Sequence, residues 1–286
     1  MKKILKWTGV SLLGLVIVLV SGGIALSSIG SSKANKTYEV TESLLTTVPE
    51  DSASLAYGEH LSKIHGCQSC HTENLGGKVF VDAPPFRAVA ANLTSGKGGI
   101  AQSYSIQDWD RAIRYGIKPD GTAEFLMPSK TLHNLSDADA GALIAYMRSV
   151  APVDNELPAT ELRTLGKILT AAGEFDAAAE THTVANREPA PPAGITTEYG
   201  KYLSSITCTH CHGANMEGGV PLGPDAPAPP PLVPAGTWTI EMFIKSMRTG
   251  VTPANHEMNP EMMPWEAFKH MTDEELQAIH LYLQTL

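Results

Sequence analysis

Every cysteine of this chain lies in one of two copies of the same pentapeptide, Cys67-Gln68-Ser69-Cys70-His71 and Cys208-Thr209-His210-Cys211-His212. Residues three and four apart share one face of a helix, so the two sulfurs of each copy and the imidazole that follows point the same way. Thiols so placed can form two thioethers to one planar group while the histidine offers a ring nitrogen to its metal, and C-x-x-C-H is the attachment pattern of c-type haem. A disulfide within either motif would close a very small loop, contribute little and leave both histidines without a role. Zinc takes four ligands, so the two cysteine pairs could meet at one ion, again with both histidines idle. The reading that uses every motif residue is two covalently attached c-type haems, held by Cys67, Cys70, Cys208 and Cys211, with His71 and His212 on the irons.

The chain also repeats itself around these motifs. Tyr57-Gly58-Glu59-His60-Leu61 precedes the first and Tyr199-Gly200-Lys201-Tyr202-Leu203 the second, each in an amphipathic stretch of helical spacing. A turn with paired glycines follows each motif, Asn74-Leu75-Gly76-Gly77 and Asn215-Met216-Glu217-Gly218-Gly219. Further on, Ile106, Trp109, Ile113, Arg114 and Gly116 match Ile240, Phe243, Met247, Arg248 and Gly250 without a gap, which predicts a short helix closed by glycine. Met127-Pro128 and Met263-Pro264 come next. Ser136-x-x-Asp139 and Thr272-x-x-Glu275 then predict capping boxes for two final helices carrying Leu143 and Ile144, and Leu276 and Ile279.

This order of helix, haem motif, loop, helix, Met-Pro and helix resembles the class I cytochrome c domain, over about residues 52–150 and 194–286. The resemblance implies an all-α fold: two tandem class I cytochrome c domains, short helices around a covalently bound haem, after an amino-terminal transmembrane helix. In that family the methionine before such a proline is the second axial ligand. Carried over, His71 and Met127 would bind one iron, and His212 and Met263 the other. Met258 and Met262 stand near Met263 as rivals, and His65, His133, His256 and His270 are the histidine alternatives. A proline-loop carbonyl of the family holds the outer nitrogen of the haem histidine, which points here to Pro84-Pro85-Phe86 and Pro229-Pro230-Pro231-Leu232. The run from Asn92-Leu93-Thr94 through Tyr104-Ser105-Ile106 to Arg114-Tyr115-Gly116 is similar to cytochrome subunits of membrane-bound dehydrogenases. Those subunits usually carry three haem domains where this chain has two.

Trp7 to Ile29 is a run of 23 residues without a charge, about 34 Å as a helix and enough to cross a bilayer core. Lys2, Lys3 and Lys6 precede it, so the amino end stays in the cytoplasm and the rest is exported; a cleaved signal peptide is the alternative. The expected layout is an anchor at 1–30, a polar stalk at 31–51, a first domain at 52–150, a connector at 151–193 and a second domain at 194–286. Leu162, Leu165, Ile168 and Leu169 give the connector a helical apolar stripe, expected to pack as a strap across the domain interface. Five of the 21 Lys and Arg lie in the first 36 residues, which hold no acid, so the remainder sets 16 basic against 30 acidic side chains. Such a surface repels nucleic acid and suits a basic patch on a protein partner.

With both axial positions filled, neither iron is open to a substrate. The expected function is therefore electron transfer rather than enzyme chemistry, with single electrons passing from a donor (a dehydrogenase or quinol-oxidising complex) to a respiratory acceptor such as an oxidase. The haem domains would sit on the outer, periplasmic side of the cytoplasmic membrane. The alternative is a dihaem peroxidase-like enzyme, which needs one iron able to open a coordination position.

Overall fold

The computed structural model describes residues 2–184, 187–219 and 227–286. Helix α1 (Lys2–Ala34) is the long apolar segment. In the first copy of the repeat, α2 (Ser52–Ile64) leads into the motif helix α3 (Cys67–His71), a hairpin of β1 (Lys78–Ala83) and β2 (Phe86–Ala90), then α4 (Ile106–Tyr115), α5 (Ser129–Leu132) and α6 (Asp137–Ser149). The connector supplies β3 (Glu161–Leu162) and α7 (Thr164–Ala172). The second copy runs α8 (Thr197–Thr207), α9 (Thr209–His212), a 3₁₀ turn (Val233–Thr237), α10 (Ile240–Thr249), α11 (Trp265–Phe268) and α12 (Asp273–Leu283).

Short polar side chains start these helices by accepting from backbone N–H groups that the first turn leaves unpaired. Asp51 caps α2, Ser105 α4, Thr196 α8 and Thr239 α10. On α12 the predicted capping box is complete, with Glu275 N–H donating to Thr272 Oγ1 at 3.1 Å and Thr272 N–H to Glu275 Oε2 at 2.7 Å. On α6 only half of it forms. Asp139 N–H donates to Ser136 Oγ, but the Asp139 carboxylate accepts from the Tyr202 hydroxyl, and the Ser136 N–H donates to that hydroxyl instead. Gly116 and Gly250 close α4 and α10 at φ 66° and 71°, the left-handed position expected of them.

In each copy the first helix crosses the last at a glycine. A Cβ on Gly58 would lie 2.1 Å from the Ala142 carbonyl oxygen, and one on Gly200 would lie 1.9 Å from that of Ala278. The two crossings bury Leu61, Ile64, Leu143 and Ile144, and Leu203, Ile206, Leu276 and Ile279, in one apolar cluster that joins both copies. Full burial of each such side chain stabilises by about 1.5–3 kcal/mol.

Helices dominate, as expected, but three short strands correct the all-α expectation. β1 and β2 pair antiparallel with a bulge between Val79 and Val81, and β3 joins the free edge of β2. The segment read as a proline loop carries Val79, Phe80, Val81, Phe86 and Val89, β-branched or aromatic residues suited to a pleated surface, so Pro84 and Pro85 become the turn of a hairpin.

The described part of α1 has Lys6–Ala34 long and apolar enough to cross a membrane, and the helix continues into the segment read as stalk. Residues that follow lie along the first copy: Tyr38 N–H donates to Gly121 O at 2.8 Å and Leu45 N–H to Asp110 Oδ2 at 2.9 Å. The connector packs too. Asn92 Nδ2 donates to Val153 O at 2.7 Å and Asn155 Nδ2 to Gly76 O at 2.8 Å, while α7 is wedged between Gly30 of α1 and Pro85.

Candidate functional site

Gly66, at φ 66°, turns the chain between α2 and α3, and the motif helix then presents Cys67, Cys70 and His71 to one cavity of about 450 Å³. Its wall is largely apolar, lined by Trp109 and Ile113 of α4, Met127, Leu132 of α5, and Leu143 and Met147 of α6. None of the four cysteines is in a disulfide. Burial pushes the Cys67 and Cys208 thiols up to about 11 and raises Cys70 and Cys211 as well. Among the described residues no three His, Cys, Asp or Glu side chains are grouped to hold a metal ion by themselves.

The two motif histidines are held in the same way. His71 Nδ1 lies 2.7 Å from the Ala91 carbonyl and His212 Nδ1 lies 2.7 Å from the Pro230 carbonyl. A carbonyl only accepts, so each ring carries its proton on Nδ1 and keeps the Nε2 lone pair for a metal. Burial lowers both pKa values, the carbonyl bonds offsetting part of the effect, and this favours the neutral, ligating form. For His212 the carbonyl is one of those read from the proline loop. For His71 it is not. The hairpin carries Pro84 and Pro85 away, and Ala91, directly after β2, takes their place. The loops after the motifs match as well: Leu75 (φ 57°) and Met216 (φ 58°) adopt left-handed backbone at equivalent positions, and each carbonyl accepts from the residue that follows the motif by some twenty places, Leu93 or Leu232, at 2.8 Å.

Met127 and Met263 open the same turn. Pro128 has φ −79° and ψ 56°, and Pro264 φ −76° and ψ 54°. The Ser129 N–H donates to Met127 O at 2.8 Å and the Trp265 N–H to Met263 O at 2.7 Å. These are inverse γ-turns, rigid because proline fixes φ. Both methionines pack against the core cluster, whereas Met258 and Met262 do not belong to it. Met258 has a different counterpart: its N–H donates to Gly250 O at 2.7 Å as that of Glu124 does to Gly116 O. Of the histidine alternatives, His256 and His270 are exposed, and His133 is tied to the Lys130 carbonyl. His210, inside the second motif, faces Glu180 at 3.8 Å.

His65 is the exception. It lines the cavity, burial pushes it down to about 4, and its Nε2 has no partner. Trp109 Nε1, which also lines the cavity, is buried and unpartnered too. Paired thiols, a lone-pair imidazole and a thioether are the donor set that a covalently attached haem requires, and two orphaned polar atoms in the wall fit a group that fills the cavity. Sequence reasoning placed Trp109 on an apolar helix face without assigning it to the cavity, and no spacing distinguishes an indole facing a cofactor from one in a core.

The family model for cytochrome c matches residues 55–151 and 197–286. The chain is 26% identical over 261 residues to the fructose dehydrogenase cytochrome subunit of Gluconobacter japonicus, covering 82% of this chain and 52% of that protein. It is 25% identical over 284 residues to the alcohol dehydrogenase (quinone) cytochrome c subunit of Gluconacetobacter polyoxogenes, covering 85% and 58%. With the gluconate 2-dehydrogenase cytochrome c subunit of Pantoea cypripedii it shares 27% identity over 155 residues, 50% of this chain and 31% of that protein. The chain thus spans little more than half the length of the first two of these relatives and about a third of the third.

Proposed function

The chain belongs to the cytochrome c family, and we propose that it is a membrane-anchored dihaem electron carrier built from two tandem haem domains, 52–150 and 194–286. It is an electron-transfer component rather than a catalytic enzyme. Cys67, Cys70, Cys208 and Cys211 hold the haems, His71 and Met127 ligate one iron, and His212 and Met263 the other. Each haem, when bound, supplies a one-electron ferric–ferrous couple.

The observation that carries this reading is the duplicated pairing of a carbonyl-held histidine with a proline-locked methionine. A thioether is soft and neutral and favours the ferrous state relative to a second imidazole. Because Pro128 and Pro264 fix the turn, each sulfur is delivered from a backbone that has little freedom to withdraw. A position that opens for peroxide would require the opposite, so the peroxidase-like alternative finds no support. The apolar walls around Trp109, Ile113 and Met147 exclude water and keep reorganisation small when the charge changes.

Helix α1 would anchor the carrier, with the haem domains on the outer side by the placement of Lys2, Lys3 and Lys6. By analogy with its relatives the donor is a membrane-bound dehydrogenase and the acceptor a respiratory component. Co-purification from native membranes tests this: a dehydrogenase large subunit retained with the chain supports the pairing, and retention only of an unrelated complex refutes it. Redox titration with spectra tests the ligands, two titrating low-spin haems being the expected result.

A further inference from the structure

The two copies do not merely lie side by side; they exchange partners. In the repeat, His60 corresponds to Tyr202, and Asp139 to Glu275, which stand at the third position of α6 and α12. In the fold each residue reaches across to the other copy. His60 Nε2 of α2 meets the Glu275 carboxylate of α12 at 2.8 and 3.0 Å. The Tyr202 hydroxyl of α8 donates to Asp139 of α6 and accepts from the Ser136 N–H at 3.1 Å. Asp139 is 4% exposed and the Glu275 side chain 7%, so these are buried contacts in which losing a partner is costly. Asn134 Nδ2, donating to Ser205 O at 3.1 Å, adds a third tie beside the Tyr202 contact.

The location of these contacts gives them a consequence for electron transfer. α2 and α8 run directly into the two C-x-x-C-H motifs, His60 standing two helical turns before Cys67 and Tyr202 about as far before Cys208. α6 forms a wall of the first cavity, through Leu143 and Met147, and α12 is its counterpart. Each contact thus couples the motif-bearing helix of one copy to the last helix of the other.

We propose that His60–Glu275 and Tyr202–Asp139 form a two-point clamp that fixes the separation and orientation of the two haem-bearing units, making these four side chains positioning residues for electron passage between them. The proposal rests on the two-haem reading above. Tunnelling between redox centres falls steeply with distance, so a clamp that removes an ångström of play changes rate far more than it changes either potential.

The test is the intramolecular electron-transfer rate in the full-length, haem-loaded protein after flash reduction, with hydrogen exchange of the α2, α8 and α12 amides as a second readout. His60→Ala and Tyr202→Phe should each slow transfer by about tenfold, leave each haem's spectrum and potential unchanged, and raise exchange at the junction. His60→Tyr, which gives the first copy the residue the second already uses, should restore both rate and protection to near the wild-type level. If His60→Ala does not assemble, Tyr202→Phe, which removes one oxygen, decides alone. An unchanged rate in a protein carrying both haems overturns the clamp, as does a His60→Tyr variant as slow as His60→Ala. A preparation with one haem or none would instead refute the underlying two-haem reading, and mass and spectra reveal that before any rate is measured.

Discussion

Pro128 and Pro264 share their backbone angles to within a few degrees, Gly58 and Gly200 bring the same helix pairs into contact, and both motif histidines face a carbonyl at the same distance. The surroundings of these shared parts differ. The first copy is wrapped by residues 37–45, by residues 153–184 with Arg187, and by a small sheet; none of these has a counterpart among the residues described around the second. Arg114 is fully enclosed, bonded to Asp110 at 2.6 Å and Asp137 at 2.7 Å, whereas its counterpart Arg248 is partly exposed and pairs with Asp273 at the surface. The geometry that would hold an iron is duplicated, and what surrounds it among the described residues is not. Ligand delivery is therefore set by short local turns, which a repeat reproduces, while burial depends on segments outside the repeat.

Removing a ligand should affect the copies separately. Met127→Ala and Met263→Ala should each abolish methionine ligation at one haem and lower that haem's potential by on the order of 100 mV, with the other untouched in a spectroelectrochemical titration. Met258→Leu should change neither. A shift in both haems from one substitution would break the independence of the two sites.

The arginine pair sharpens the comparison in stability. Arg114→Ala leaves Asp110 buried without its partner and should cost about 3–5 kcal/mol; Arg248→Ala should cost less than about 1 kcal/mol. Denaturant unfolding of the two variants measures the difference, and equal losses would contradict the burial contrast.

Acid should act on the two contacts of the junction in opposite senses. Burial raises Asp139, outweighing its bonds to Tyr202, Tyr57 and Ser136. Its protonated form is therefore favoured by folding, and its contribution to stability grows as pH falls from above its raised value towards the ordinary 3.8. Burial also pushes Glu275 up, but the bonds from His60 and Thr272 outweigh this and hold it below the ordinary 4.5. Its contribution is present above 4.5 and is lost as pH falls through the lowered value. In thermal melts across this range Asp139→Asn should remove the acid gain and Glu275→Gln the acid loss. The reverse assignment would overturn both.

The smallest effect expected is that of Trp109→Phe, which gives the first cavity the phenyl ring that the second copy carries at this position as Phe243. Losing a buried indole N–H that has no partner should change stability by less than about 1 kcal/mol and move the first haem's potential towards that of the second. A larger separation of the two potentials would show that Trp109 is not part of what distinguishes them.

Much of this was legible in the sequence because it is local. A motif five residues long, a glycine after a helix, a Met-Pro pair and a Ser or Thr three residues before an acid are all short patterns, and the repeat presents each of them twice. What was not legible depends on distance. Ala91 holds His71 because a hairpin intervenes, and that hairpin forms partly through β3, some seventy residues away in the connector. The half-formed box at Ser136 reflects a carboxylate claimed by a tyrosine of the other copy. A repeat identifies which residues correspond but not which copy they touch, so the crossing of His60 and Tyr202 appears only in the fold.

The central claim, two haems each bound by its own C-x-x-C-H motif, is tested most directly by intact mass analysis of the chain purified from membranes. Two added haem masses are predicted, falling to one when Cys67 and Cys70 are replaced by alanine and likewise when Cys208 and Cys211 are. A single added haem on the unaltered chain, or none, would contradict the account.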